Sequence, residues 1–115
     1  NFIRIHLFYG DVLNKIKELS SLPISGFSID MQYTDIRKLG CIDKIVILGA
    51  IDSQNTLIED VDKLSDIIIN YIKKCDVNKI AITNNVDLDF LPYNVAVKKI
   101  SILGKLFKKL IKIIE

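Results

Sequence analysis

The chain has 115 residues, half of them hydrophobic, and a net charge of +2, which suits one compact unit. Charges of both signs are scattered along it, so no basic stripe points to nucleic acid. No window approaches the roughly 18 uninterrupted apolar residues of a membrane span, and Arg4 and His6 break the first apolar stretch where a signal peptide would need it continuous.

Four apolar runs alternate with four helical patterns. The first run is Phe2 to Tyr9, after which Asp11 can cap a helix that places Val12, Ile16 and Leu19 on one face. The second run, Ile24 to Ile29, leads into a short crossover at about Thr34 to Leu39. The third is Lys44 to Ile51. Beyond it, Thr56-Leu57-Ile58-Glu59 reads as a capping box, in which hydroxyl and carboxylate satisfy each other's free backbone N–H groups. Val61, Leu64, Ile67, Ile68, Tyr71 and Ile72 then keep helical spacing. The fourth run is Lys79 to Thr83, and Pro92 suits the start of the last helix, where its missing N–H is not needed.

That last helix carries Lys98, Lys105, Lys109 and Lys112 on one side and Ala96, Ile100, Leu103, Phe107, Leu110 and Ile114 on the other. A basic amphipathic helix can lie on a membrane. The plainer reading is an outer helix with its lysines in water, and Phe107, Leu110 and Ile114 are expected on the sheet.

The apolar runs are short, rich in Ile and Val, and continuous, as in strands buried on both faces of a parallel sheet. Strand and helix in alternation with short links give βαβ units of the α/β class. No linker interrupts them, so residues 1–115 read as a single partial domain. An eight-fold β/α barrel needs roughly 250 residues, so four units amount to half of one. The chain begins at Asn1 rather than Met and is read as a fragment or processed piece. Strands one and four are then open edges, and the expected partner is a missing N-terminal barrel half or a second copy.

In such a sheet chemistry belongs at the C-terminal strand ends. His6, Tyr9 and Asp11 gather at the first, Ser28, Asp30 and Gln32 at the second, Asp52, Ser53 and Asn55 at the third, and Thr83, Asn84, Asn85 and Asp87 at the fourth. Strand alternation puts Arg4, His6 and Phe8 on one face. Asp11, Asn55 and Asp87 read most simply as turn and cap residues. Asp30 closes a strand rather than opening a helix. His6, the lone histidine, is either a buried imidazole satisfied by a neighbouring carboxylate, with Asp30 close enough to hydrogen-bond it, or a working ligand. Asp52, Asn84 and Asn85 are candidates for contacting a small-molecule substrate, and no catalytic residue is singled out.

Cys41 and Cys75 stand alone, outside any CxxC pair, and reduced thiols in a cytoplasmic protein are the default. Both belong to the N-terminal face of the sheet, where they could lie near each other. A disulfide there would suit a thermophile, and the heavy use of Ile and Lys is a compositional mark of a thermophile or an AT-rich genome.

Ile5-His6-Leu7-Phe8-Tyr9-Gly10-Asp11 resembles the stretch that carries a zinc-binding His-x-Cys in cobalamin-independent methionine synthases. Gly26-Phe27-Ser28-Ile29-Asp30 is similar to the next strand of that family, which ends in a zinc-binding Glu. Leu48-Gly49-Ala50-Ile51-Asp52, with Asn55 and Glu59 after it, resembles the family's Gly-x-x-Asp strand. Thr83-Asn84-Asn85-Val86-Asp87-Leu88 falls where the family has Asn-Pro-Asp-Cys-Gly-Leu, whose Cys is a further ligand, and Leu91-Pro92 to Leu106, with Lys98 or Lys99, fits the closing segment. The motifs run in order over nearly the whole chain.

The resemblance implies the C-terminal half of a TIM-type (β/α)8 barrel. Its enzymes move a methyl group from a methyltetrahydrofolate-type donor to homocysteine in methionine biosynthesis, with zinc lowering the thiol's pKa. Here the pattern departs. His6 matches, Asp30 shortens the Glu, and Phe8 and Val86 occupy the two Cys positions. Zinc sites hold three or four N, S or O ligands, and this chain offers two. Cys41 and Cys75 cannot substitute, because a strand length of roughly 17–20 Å separates the two faces.

The leading expectation is therefore a methionine-synthase-like protein with a degenerate zinc site. The competing expectations are a non-catalytic barrel remnant serving as a binding or assembly module, and a metal-free enzyme of the uroporphyrinogen decarboxylase kind.

Overall fold

The structure, a computed structural model, describes residues 2–77 and 79–114. Strands β1 (Arg4–Ile5), β2 (Gly26–Asp30), β3 (Ile45–Ile51) and β4 (Ile80–Asn84) form one parallel sheet in the order β1-β2-β3-β4. Helix α1 (Ile16–Ser21) follows β1, a 3-10 turn at Ile36–Lys38 follows β2, α2 (Val61–Cys75) follows β3 and α3 (Tyr93–Ile114) follows β4. Sequential parallel neighbours joined by crossovers make an α/β fold of partial-barrel type. Among the described residues no helix is long and apolar enough to cross a membrane.

Register decides which side chains meet. Ile5 pairs with Phe27, Phe27 with Val46, and Val46 with Ile80. Alternation along a strand puts these four on the helix-covered face. There Phe27, Ile29 and Leu48 are buried with Ile68, Leu106 and Leu110 in one core. The inner face carries Ser28 opposite Ile47 and Asp30 opposite Gly49, with Ala81 and Thr83 beyond. Gly26 is required at its position, since a Cβ there would stand 2.4 Å from the Ile45 carbonyl oxygen.

The elements differ from the sequence reading where tertiary partners intervene. The first run forms only two residues of strand, because beyond Ile5 its backbone bonds to side chains of β2 instead of to a ladder. The strands are not uniformly buried: all of β2 is buried, while β4 is half-exposed throughout. Asp11 does not cap α1: it accepts from Leu13 N in a local turn, and a 3-10 turn at Leu13–Lys15 precedes the helix, whose N-cap is Lys15. The second crossover is not a helix; its turn is anchored by buried Ile36 and Leu39. At its start Arg37 hydrogen-bonds Asp35 and holds that exposed carboxyl below its usual range.

The capping box does not form. Helix α2 starts at Val61, and Asp60 caps it by accepting from Asp62 N and Lys63 N. Glu59 is drawn away to the Asp52 backbone and to Lys99. Val95 N and Ala96 N both donate to Pro92 O, so Pro92 does open α3. Lys98, Lys105, Lys109 and Lys112 are exposed, and Lys109 pairs with Asp62. The apolar stripe, however, is turned about the helix axis from the expected one. Lys99, Leu106 and Leu110 are the buried residues of α3, whereas Ile100 and Phe107 lie more than half exposed. The large truncation cost expected of Phe107 therefore belongs to Leu106, at about 2–5 kcal/mol for Leu→Ala.

Cys41 and Cys75 are joined in a disulfide, with Cα atoms 5.3 Å apart, so the default of two free thiols is corrected. The pair ties the approach to β3 to the end of α2.

Candidate functional site

The C-terminal end of the sheet is where the polar residues collect, and the structure bonds them to one another. Ser28, on the inner face of β2, accepts from Leu7 N at 2.6 Å and lies 3.0 Å from Leu7 O, to which its hydroxyl donates. Asp30, two residues on and only 2% exposed, accepts from Tyr9 N at 3.1 Å and from Gln32 N at 3.0 Å. Side chains of β2 thus take over the role of a backbone ladder for residues 7–9. Tyr9 adopts φ 61°, a left-handed conformation, where the chain turns off this edge. Buried Thr34 fastens the next turn by accepting from Val12 N.

Asn85, just past β4 and 1% exposed, is the centre of this end. Its Oδ1 accepts from Ser53 N at 2.9 Å and Val86 N at 2.8 Å. Its Nδ2 stands 3.4 Å from both Asp30 carboxylate oxygens. Its backbone N–H donates to Ile51 O, and its backbone oxygen lies 2.9 Å from His6 Nε2. One residue thereby touches the ends of all four strands. It can do so because β3 has Gly49 beneath it: a Cβ there would be 3.2 Å from Asn85 Cα and 3.1 Å from Ile29 O. The register slip between Gly49 and Ile51 brings Asn85 N to Ile51 O.

The expected direct bond between His6 and Asp30 is replaced. His6 is exposed and bonds Asn85 O, while the Asp30 carboxylate faces the Asn85 amide. Only a donor can meet a carbonyl oxygen, so Nε2 carries a proton and is not a lone-pair donor here. Phe8 is half-exposed, its ring 5.4 Å from His6 and 4.9 Å from Tyr9. Val86 is half-buried and bonds the network through its backbone.

Asp52 and Asn84, the other candidate substrate contacts, are held locally. Asp52 Oδ1 accepts from Gln54 N, and its N–H donates to Glu59 Oε2. Asn84 Nδ2 donates to Val86 O in its own turn. Beside them is a group that the sequence analysis named only as an alternative to Lys98 and gave no place in the site. Lys99 is 1% exposed and its Nζ lies 2.6 Å from Leu57 O, 2.9 Å from Glu59 Oε1 and 3.1 Å from Glu59 Oε2. Its spacing with Leu103, Leu106 and Leu110, on one helical face, was the available signal.

The donor set does not fit the zinc that the resemblance implies. The imidazole has its Nε2 committed to a carbonyl, the Asp30 oxygens already accept N–H groups, and Phe8 and Val86 bring no donor atom. The hydroxyl of buried Ser53 has no hydrogen-bond partner, but a neutral hydroxyl is a poor zinc donor.

No protein-family model matches the chain, and no curated protein matches it. Among solved structures the chain is similar to a B12-independent methionine synthase from Shewanella sp. W3-18-1, determined in complex with selenomethionine. The TM-score is 0.61 at 19% sequence identity, over 84% of this chain and 30% of that one. The chain thus spans less than a third of that protein's length. What the two share is a fold: four parallel βα units of the kind found in part of a β/α barrel.

Proposed function

We propose that residues 1–115 are a partial barrel domain of a cytoplasmic methionine-synthase-like protein, a homologue of enzymes that methylate homocysteine, whose zinc-dependent thiol activation is impaired. The fold likeness and the ordered strand-end motifs support the kinship. One observation carries the impairment: the Asp30 carboxylate and the His6 Nε2 are engaged by Asn85 and by backbone N–H groups, in a position where two apolar side chains replace thiolates. Without a metal to stabilise the thiolate, a homocysteine-like thiol keeps its ordinary reactivity. The disulfide accords with a cytoplasmic location if the source is a thermophile.

A second reading, a non-catalytic binding or assembly module, is favoured by the closure of this end. Ser28, Asp30 and Asn85 are buried, with their side chains bonded to neighbouring strand ends within this end of the sheet.

The test is metal content after purification without added metal, followed by zinc titration of the wild type and His6→Ala. The expected result is weak, substoichiometric zinc in both. Stoichiometric zinc that survives dialysis and disappears in His6→Ala would overturn the reading and place the protein with the zinc-dependent methyltransferases.

A further inference from the structure

The Cys41–Cys75 disulfide stands where a thiol in solution can reach it: Cys41 is exposed and Cys75 half-buried. A cleft of about 430 Å³ opens beside the bond, at the N-terminal end of the sheet. One wall is the approach to β3, Ile42 to Lys44. The other is the end of α2, Tyr71 and Cys75, with Val77 beyond. The disulfide joins the two walls.

Few other bonds hold the first wall. Upstream, Leu39 is buried and its carbonyl accepts from Lys74 Nζ. Downstream, Ile45 N donates to Ser25 O, where β3 enters the sheet. Between these anchors, and among the described residues, 40–44 make no backbone-to-backbone hydrogen bond. Of the five, Ile42 packs against the core and Lys44 reaches back to Ile24 O. A covalent bond whose outer cysteine is exposed is thus the main restraint on this segment. A cross-link that serves only to restrict the unfolded chain works equally well buried, where it is shielded from exchange; exposed disulfides are the labile ones.

We propose that Cys41–Cys75 is a thiol-redox switch, reduced by a dithiol while the protein stays folded, and that reduction releases residues 40–44 from α2 and opens the cleft. A thiolate of the dithiol attacks Cys41 Sγ; the S–S bond breaks, and Cys75 leaves as a thiolate that takes a proton from water. The second thiol of the reagent, as a thiolate, displaces Cys41 from the mixed disulfide. Two electrons pass to the protein, which gains two thiols, and the dithiol becomes a disulfide. The reverse sequence, with an oxidised dithiol, closes the switch. Release uncovers Tyr71, which is 4% exposed in the cleft wall. The Asn85 network, at the other end of the sheet, shares no hydrogen bond with the moving segment.

Dithiothreitol is the probe, applied to the isotope-labelled chain without denaturant. Thiol titration counts the sulfhydryls released, circular dichroism follows the fold, and NMR relaxation gives backbone order parameters in both redox states. The expected result is two thiols per chain, from its two cysteines, with unchanged circular dichroism. Order parameters of residues 40–44 should fall from about 0.85 to below about 0.6, while those of Ser53 and Asn85 hold. Oxidised dithiothreitol should restore the starting values, and the double variant Cys41→Ser/Cys75→Ser should show the reduced pattern and ignore both reagents. A bond that yields only in denaturant would be a structural staple and would overturn the proposal. So would order parameters that stay high at 40–44 after reduction, or loss of the fold on reduction.

Discussion

The two ends of the sheet are held by opposite means. At the N-terminal end a covalent bond between Cys41 and Cys75 spans 34 residues and needs no solvent-sensitive partner. At the C-terminal end the strands are joined by hydrogen bonds that converge on Asn85, and the loop after β3 is held by the buried pair Lys99–Glu59. A cross-link stabilises chiefly by restricting the unfolded chain, so its effect is indifferent to its surroundings. A buried polar network stabilises only while every member keeps its partners, and the loss of one leaves the rest desolvated and unpaired. Single changes at the C-terminal end are therefore expected to act through the partners they leave unpaired, and loss of the disulfide through the unfolded chain.

The largest expected effect is at Lys99. Replacing it with Ala removes the partner of Glu59, whose side chain is 16% exposed, and leaves the Leu57 carbonyl without its donor. Breaking one side of a buried pair costs about 3–5 kcal/mol. Urea unfolding at unchanged m-value measures it, and a loss under about 1 kcal/mol would mean that solvent reaches the pair.

Opening the other end should cost slightly less. For a closed loop of 34 residues the chain-entropy relation gives about 3–4 kcal/mol. Thermal melts of the wild type with and without reductant, and of Cys75→Ser, should show the same downward shift in the reduced protein and the variant. A variant as stable as the oxidised wild type would indicate that the disulfide contributes nothing to the fold.

Asn85→Ala should follow, at about 2–4 kcal/mol, since Ser53 N and Val86 N lose a buried acceptor. Asn85→Asp sharpens the comparison because it keeps the acceptor but sets a second carboxylate against Asp30. Like charges in one buried site repel. That variant should be nearest to wild type at acid pH, where one carboxyl is protonated, and lose stability toward neutral pH. A flat pH profile relative to wild type would mean that the two side chains separate.

Much of the architecture was legible in the residues, because strand burial and βα alternation are local patterns. Four Ile- and Val-rich runs and the apolar periodicity of residues 61–72 led to the parallel sheet and to α2, and Pro92 marked the start of α3. The strand ends also named the right neighbourhood: Asp30, Asn85 and His6 do come together. What local pattern could not reveal was which polar group would bond which. Thr56–Glu59 has the form of a capping box, yet Glu59 is taken by a lysine 40 residues away, and Asp60 becomes the cap.

The same reason divides what local pattern fixes in this chain from what long-range packing fixes. Hydrophobic periodicity determined the number and order of the units, since each must bury an apolar face whatever its neighbours are. The rotation of α3 buries Lys99 and exposes Phe107, and it brings Lys99 to Glu59, a partner 40 residues away that no spacing within the helix names. Likewise Gly49, whose missing side chain leaves room for Asn85 over β3, is read only against the tertiary structure, where Asn85 stands between His6 and Asp30. Packing between distant segments selects one among several bonding schemes that are equally good locally, and that selection exists only once the chain has closed on itself.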